Sequence, residues 1–229
     1  MDIASKIDHT LLKPACLENE IIKLCEEAIH YNFYSVCIPP FYLATAKEIL
    51  VQTQVKLCTV IGFPLGYDTI NTKVCATGEA LEEGAHEIDM VINITAFKSG
   101  KLLTIYSEVE KLAGLCHQQD AFLKVIIETA YLNKDEIRML CGICVDAGAD
   151  FIKTSTGFAE KGATVEDVIF LREILPPKIK IKASGGIKTY NDAVNFLSSG
   201  VDRLGTSNGI NILKMEGILP SVIGYDKTN

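Results

Sequence analysis

Short apolar runs alternate along the chain with longer stretches in which apolar residues recur every three or four positions. The short runs, at 6–9, 34–39, 56–63, 87–94, 122–128, 151–156, 180–184 and 203–206, read as strands rich in Val and Ile and too short for helices. Near-continuous apolar segments such as Val125-Ile126-Ile127 suit parallel strands covered on both faces. Between them the spacing predicts helices over 18–31, 43–50, 73–83, 104–117, 135–147, 165–174 and 190–198. Asn133 stands three residues before Glu136, a capping box, and Thr164 and Thr189 stand in the same relation to Asp167 and Asp192. Gly84, Gly148 and Gly200 fall where helices should stop. Strand and helix repeat about as often as a (β/α)8 TIM barrel requires, so the fold class is α/β. The competing architecture, an open doubly wound sheet, would carry a glycine-rich turn after its first strand, and none is present. With no linker or low-complexity tract, residues 1–229 read as one domain with a loose tail from Gly224.

Composition narrows the partners. Lys plus Arg is 22 and Asp plus Glu 29 in 229 residues, a formal charge of −7, with 48% hydrophobic and 22% charged residues. That balance describes a folded protein that can bury a sizeable core. Acidity and the lack of a basic run argue against nucleic acid and anionic membranes. No secretory signal and no membrane-length apolar run is visible, so a cytoplasmic location is expected. The eight cysteines then read as free thiols acting as small apolar fillers, Cys141 and Cys144 included. The four histidines show no metal-ligand spacing, so no metal site is expected.

In a barrel, chemistry belongs at the C-terminal strand ends. Three strands carry charge there: Glu87 and Asp89 in the fourth, Lys153 in the sixth, Lys180 and Lys182 in the seventh. Alternation lets Lys153 and Lys182 meet inside the barrel, although the same spacing fits two strand-end lysines pointing to water. Two ammonium groups in one cavity suggest an amine nucleophile. A free lysine is neutral in only about one molecule in 2,500 at pH 7, and closing that gap takes about 4.6 kcal/mol. A second ammonium at ~4 Å supplies roughly 4 kcal/mol at an effective dielectric of ~20. Asp89 reads as the partner of Lys124 or as a proton shuttle, with Glu87 and Glu128 as rival carboxylates. Ser184-Gly185-Gly186 and Gly205-Thr206-Ser207 end the last two strands, where barrels commonly hold phosphate, and a short helix near Ile210 follows.

These residues carry a resemblance. IDHTLLKP (7–14), TVIGFPLG (59–66), EIDMVINI (87–94), LKVIIET (123–129), ADFIKTSTGF (149–158), GATVEDV (162–168), KASGGIKT (182–189) and RLGTSNG (203–209) make the sequence similar to the deoxyribose-phosphate aldolase family along nearly its whole length. The resemblance implies a class I aldolase, a carbon–carbon lyase that reversibly cleaves 2-deoxy-D-ribose 5-phosphate to D-glyceraldehyde 3-phosphate and acetaldehyde. It implies a Schiff base at Lys153, with Lys182 and Asp89 moving protons and Asp8 and Lys124 supporting them. It places substrate and phosphate at Thr154, Gly185, Gly186, Gly205, Thr206 and Ser207. It implies no metal or other cofactor, the protonated imine doing the polarising, and by analogy a homodimer. Another phosphosugar barrel enzyme and a non-catalytic phosphometabolite-binding protein are the alternatives. The chain departs from the family pattern at Ala159-Glu160-Lys161 and Tyr67-Asp68-Thr69-Ile70, and no motif aligns Tyr225 with the C-terminal tyrosine some relatives use.

Overall fold

A computed structural model describes residues 2–215. Tyr225 and the tail from Gly224 lie outside the described residues. Eight parallel strands, β1 (Ile7–Thr10), β2 (Ser35–Ile38), β3 (Lys56–Ile61), β4 (Glu87–Val91), β5 (Phe122–Ile126), β6 (Phe151–Lys153), β7 (Lys180–Ser184) and β8 (Arg203–Thr206), pair in chain order. The barrel closes through β1 against β8, with Asp8 opposite Gly205. The helices around it are α1 (Glu18–His30), α2 (Leu43–Leu50), α3 (Ile70–Glu82), α4 (Ile94–Lys98), α5 (Leu102–Gln118), α6 (Lys134–Asp146), α7 (Val165–Ile174), α8 (Tyr190–Ser198) and α9 (Gly209–Met215). Single 3-10 turns at Ala4–Lys6, Pro40–Tyr42 and Thr129–Tyr131 complete the elements. Among the described residues, no helix is long and apolar enough to cross a membrane.

The main apolar core lies between strands and helices, where Ile88, Leu123, Ile152 and Ile181 meet Ile105, Leu112, Leu140 and Leu171. Capping follows the expected chemistry. Asn133 Oδ1 accepts from Glu136 N while the Glu136 carboxylate accepts from Asn133 N. Thr164 and Thr189 accept from Asp167 N and Asp192 N. The three helix-ending glycines all take positive φ.

Most strands are shorter than the apolar runs that announce them. The fourth run continues to Ile94, but β4 stops at Val91, and Asn93 caps α4 by accepting from Ala96 N. The sixth run continues to Thr156, but β6 stops at Lys153. In both cases the chain leaves the ladder there to form a loop, and of the extra residues Thr156 reaches the cavity at the barrel mouth. Helix α3 starts three residues earlier than its periodicity suggests, because Thr69 caps it by accepting from Thr72 N.

Candidate active site

A barrel interior is usually filled by Val, Ile and Leu. Here it holds a ring of alternating charge. Asp89 Oδ1 accepts from Lys124 Nζ at 2.9 Å, and Lys124 Nζ lies 2.6 Å from Glu87 Oε2. Glu87 Oε1 accepts from Arg203 Nη2 at 3.4 Å, and Arg203 Nη1 donates to Asp8 Oδ1 at 2.9 Å. Asp8 Oδ2 lies 2.6 Å from Lys182 Nζ, which donates at 2.8 Å to Asp89 Oδ2 and closes the circuit. The contacts of Asp8 Oδ2 and Glu87 Oε2 are close charge contacts outside hydrogen-bond geometry. All six side chains are buried.

The ring is neutral without Lys153, whose Nζ donates to the same Asp89 Oδ2 at 2.8 Å. Lys153 is therefore the odd cation of the cluster. Both lysines donate to one oxygen at 2.8 Å, so their nitrogens lie within about 5.6 Å of each other, a range where like charges still repel. This revises the two-lysine picture. Lys182 does crowd Lys153, as their pairing across β6 and β7 requires, but Asp8 and Asp89 balance its charge. Burial alone would lower the Lys182 pKa, yet those two carboxylates outweigh it and hold the ammonium above its ordinary value. Burial would likewise raise Asp89, but Lys124, Lys153 and Lys182 hold its carboxyl well below the usual range. Asp8 is held down in the same way by Lys182 and Arg203 against burial.

Lys153 forms part of the floor of an open cavity of about 300 Å³ at the C-terminal end of the barrel. Gly185, Gly186, Gly205, Thr206 and Ser207 all line it, as their loops should. Gly185 has φ +85°, and a Cβ there would meet Gly162 Cα at 2.9 Å. The divergent stretch 159–161 immediately precedes Gly162 in the loop between β6 and α7. Gly205 is required by close approach, since a Cβ would meet the Ser184 hydroxyl and, at 3.0 Å, Lys182 Cε.

Two expected contacts sit differently. Thr154 is fully buried and does not line the cavity; its hydroxyl accepts from Ser184 N at 3.3 Å and from Ser155 Oγ. The Thr206 hydroxyl lines the cavity but already donates to Ile187 O at 2.7 Å and accepts from Asn208 N. Ser207 and the Ser184 hydroxyl, which lacks a partner, line the cavity as well. Lys13 and Lys188 also line the cavity and were not singled out from the sequence, although both fall inside the loops that follow β1 and β7.

Glu128, a rival carboxylate in the sequence, lies behind the cavity and holds one of its lining residues, Thr156. It follows β5 in a left-handed conformation (φ 52°), is buried, and its Oε2 accepts from both the backbone N–H and the hydroxyl of Thr156. Burial raises its pKa above the usual carboxylate value, and Oε1 has no partner. Farther out, Lys73 and Glu108 form a fully buried pair that also holds Val91 O and Asn93 N, the residues where β4 leaves the barrel. Burial lowers Lys73 and raises Glu108. Seven of the eight free cysteines are buried, but Cys37 and Cys58 are not mere fillers: their thiols contact the Asp89 carboxylate.

A closed barrel with charged side chains beneath a glycine-lined mouth at the C-terminal strand ends is the architecture of a TIM-barrel enzyme. The profile of the DeoC/LacD family aldolases matches residues 3–214, so the chain belongs to that aldolase family. It is 48% identical over 216 residues to the deoxyribose-phosphate aldolase of Thermococcus gammatolerans, covering 93% of this chain and 96% of that one. To the deoxyribose-phosphate aldolase of Mycoplasma pneumoniae it is 50% identical over 208 residues, covering 91% and 92%. The tetrameric deoxyribose phosphate aldolase of Aeropyrum pernix superposes with a TM-score of 0.88 at 34% identity, covering 95% of this chain and 92% of that one.

Proposed function

We propose that this chain reversibly cleaves 2-deoxy-D-ribose 5-phosphate to D-glyceraldehyde 3-phosphate and acetaldehyde through a Schiff base on Lys153. The observation that carries the reading is the neutral ring with one extra lysine at the cavity floor. Lys153 can give up its proton without leaving any carboxylate unbalanced, and only the neutral amine attacks a carbonyl. In the synthetic direction, Lys153 Nζ adds to acetaldehyde, water leaves, and the resulting iminium draws electrons from the methyl carbon. Loss of a methyl proton gives an enamine, whose carbon adds to the aldehyde of glyceraldehyde 3-phosphate. Water then releases the product and restores the amine.

Asp89 Oδ2 lies 2.8 Å from both lysine nitrogens, which supports its role in passing protons between Lys153 and Lys182. Asp8 holds Lys182 from behind, and Lys124 holds Asp89. Ser207, Ser184 and the N–H groups near Gly185, Gly186 and Gly205 take the phosphate, which fixes the distance from the reacting carbon. Glu128 holds the Thr156 loop that borders the same cavity.

The test is acetaldehyde release from deoxyribose 5-phosphate by the wild-type chain and by Lys153→Ala. Release by the first and none by the second supports the reading; release by Lys153→Ala overturns it. Eight free thiols favour a reducing compartment, in keeping with a cytoplasmic enzyme. We also take the chain to self-associate, at least as a homodimer. Exposed Phe41 and Leu103 offer apolar contact area, and light scattering on the purified protein measures the state.

A further inference from the structure

Five hydroxyl side chains line the cavity: Thr10, Thr156, Ser184, Thr206 and Ser207. Four are already engaged. Thr10 Oγ1 donates to Asp8 O at 2.8 Å, Thr156 Oγ1 donates to Glu128 Oε2, Thr206 Oγ1 donates to Ile187 O, and Ser207 Oγ accepts from Asn208 Nδ2 at 3.4 Å. Ser184 is 4% exposed, and among the described residues its hydroxyl has no partner. A buried hydroxyl left unpaired is disfavoured, so a ligand that supplies the partner gains by doing so.

The place of Ser184 along β7 says which ligand group that is. Lys182 and Ser184 project to the same side of the strand, and Ser184 stands roughly 6–7 Å nearer the barrel mouth. Gly185 and Gly186 follow at once. Gly205 is the register partner of Ser184 on β8, and a Cβ there would meet both the Ser184 hydroxyl and Lys182 Cε. The hydroxyl therefore belongs to the inner wall, between Lys182, which reaches Asp89, and the glycines at the rim. In the open-chain phosphosugar, carbon 1 is held on Lys153 and the phosphate is on carbon 5. The carbon 3 hydroxyl gives up its proton when the bond between carbons 2 and 3 breaks. The carbon 4 hydroxyl does not react and lies between the two ends.

We propose that Ser184 is a specificity-determining residue, whose hydroxyl accepts a hydrogen bond from the carbon 4 hydroxyl of the substrate and so selects phosphosugars that carry it. The proposal rests on the Schiff-base reading above. A serine oxygen has one proton and two lone pairs, so it can donate to the phosphate and still accept from the sugar. Rotation about the Ser184 Cα–Cβ bond toward the ligand breaks no hydrogen bond of the side chain, because the hydroxyl makes none in the free protein. A substrate without the carbon 4 hydroxyl leaves the serine unpaired in a filled cavity, which is how a site built around one hydroxyl rejects the analogue that lacks it.

The test measures acetaldehyde release from deoxyribose 5-phosphate and from its 4-deoxy analogue by the full-length wild-type chain, Ser184→Ala and Ser207→Ala. The analogue cannot close to the furanose, so its free aldehyde is more abundant. That factor is common to every variant and cancels when the ratio of the two kcat/KM values is compared between them. Ser184→Ala should lower the ratio, natural substrate over analogue, about tenfold. Loss of a phosphate contact weakens both substrates alike and leaves the ratio unmoved, which is the result expected for Ser207→Ala. Ser184→Ala breaks no side-chain hydrogen bond of the free protein, so it remains folded. An unchanged ratio in Ser184→Ala overturns the proposal and leaves the Schiff-base reading intact, and so does an equal fall in Ser207→Ala. Release from neither substrate by the wild-type chain defeats the Schiff-base reading, and the proposal falls with it.

Discussion

Lys182→Met removes one cation from the ring and leaves Asp8 and Asp89 with a net negative charge facing Lys153. Lys182 now sits within about 5.6 Å of the Lys153 nitrogen. At an effective dielectric of ~20 its removal relieves roughly 3 kcal/mol of repulsion, so the neutral fraction of the nucleophile falls on the order of a hundredfold. The assay is kcat/KM for deoxyribose 5-phosphate from about pH 6 to about pH 10. Its rising limb should move to higher pH, with activity partly recovered in alkali. Charge balance provides a control within the same design. Adding Asp8→Asn to Lys182→Met removes one negative charge and makes the ring neutral again, so the limb should move back toward its wild-type position. Loss of Lys182 as a proton carrier lowers the plateau in both variants but does not move the limb. An unshifted limb in Lys182→Met, with the fold verified by thermal unfolding, would refute the electrostatic reasoning. So would a double variant no closer to wild type than the single.

Gly185→Ala places a Cβ against Gly162 at a left-handed backbone position, so KM for the phosphosugar should rise about tenfold or more. Trapping of acetaldehyde, which has no phosphate, should proceed at the wild-type rate; equal losses in both would contradict the phosphate assignment. Glu128→Ala frees the Thr156 loop from two hydrogen bonds to a carboxylate, which predicts a loss in kcat/KM of one to two orders of magnitude, with a smaller loss for Glu128→Gln. Lys73→Met leaves Glu108 buried without its partner and should cost about 3–5 kcal/mol in urea unfolding, whereas adding Glu108→Leu should recover most of it. The ring itself predicts a wide pH plateau of stability. Depressed Asp8 and Asp89 contribute above their unfolded values near 4 and lose that contribution as pH falls further. Raised Lys124 and Lys182 contribute in full below about 10.4 and lose it only above their raised folded values. Thermal unfolding midpoints should therefore vary little from about pH 5 to about pH 9 on account of these four groups.

Strand number and the caps at Asn133, Thr164 and Thr189 could be read from local pattern, because each depends on neighbours within a few residues. Asn133 with Glu136 is a case in which chemistry and spacing alone define the element. The approach of Lys153 to Lys182 is one of two readings that alternation on adjacent strands allows, and their register across β6 and β7 decides it. The ring could not be read in this way, because its members come from β1, β4, β5, β7 and β8 and meet only when the barrel closes. Arg203 stands at the start of β8 and looks like an ordinary strand-edge charge until Asp8 and Glu87 arrive beside it. The same holds for Cys37 and Cys58, since a buried thiol reads as an apolar filler unless its neighbour across the sheet is known. At Thr154 the motif suggests a substrate contact, and the folded chain adds what local pattern could not show: its hydroxyl accepts from Ser184 N on the neighbouring strand.

Borohydride reduction in the presence of acetaldehyde, followed by peptide mass spectrometry, tests the central claim most directly. A stable two-carbon adduct on Lys153, prevented by Lys153→Ala, is the result expected. An adduct on Lys182 or another lysine, or no adduct on protein that turns over deoxyribose 5-phosphate, would contradict it.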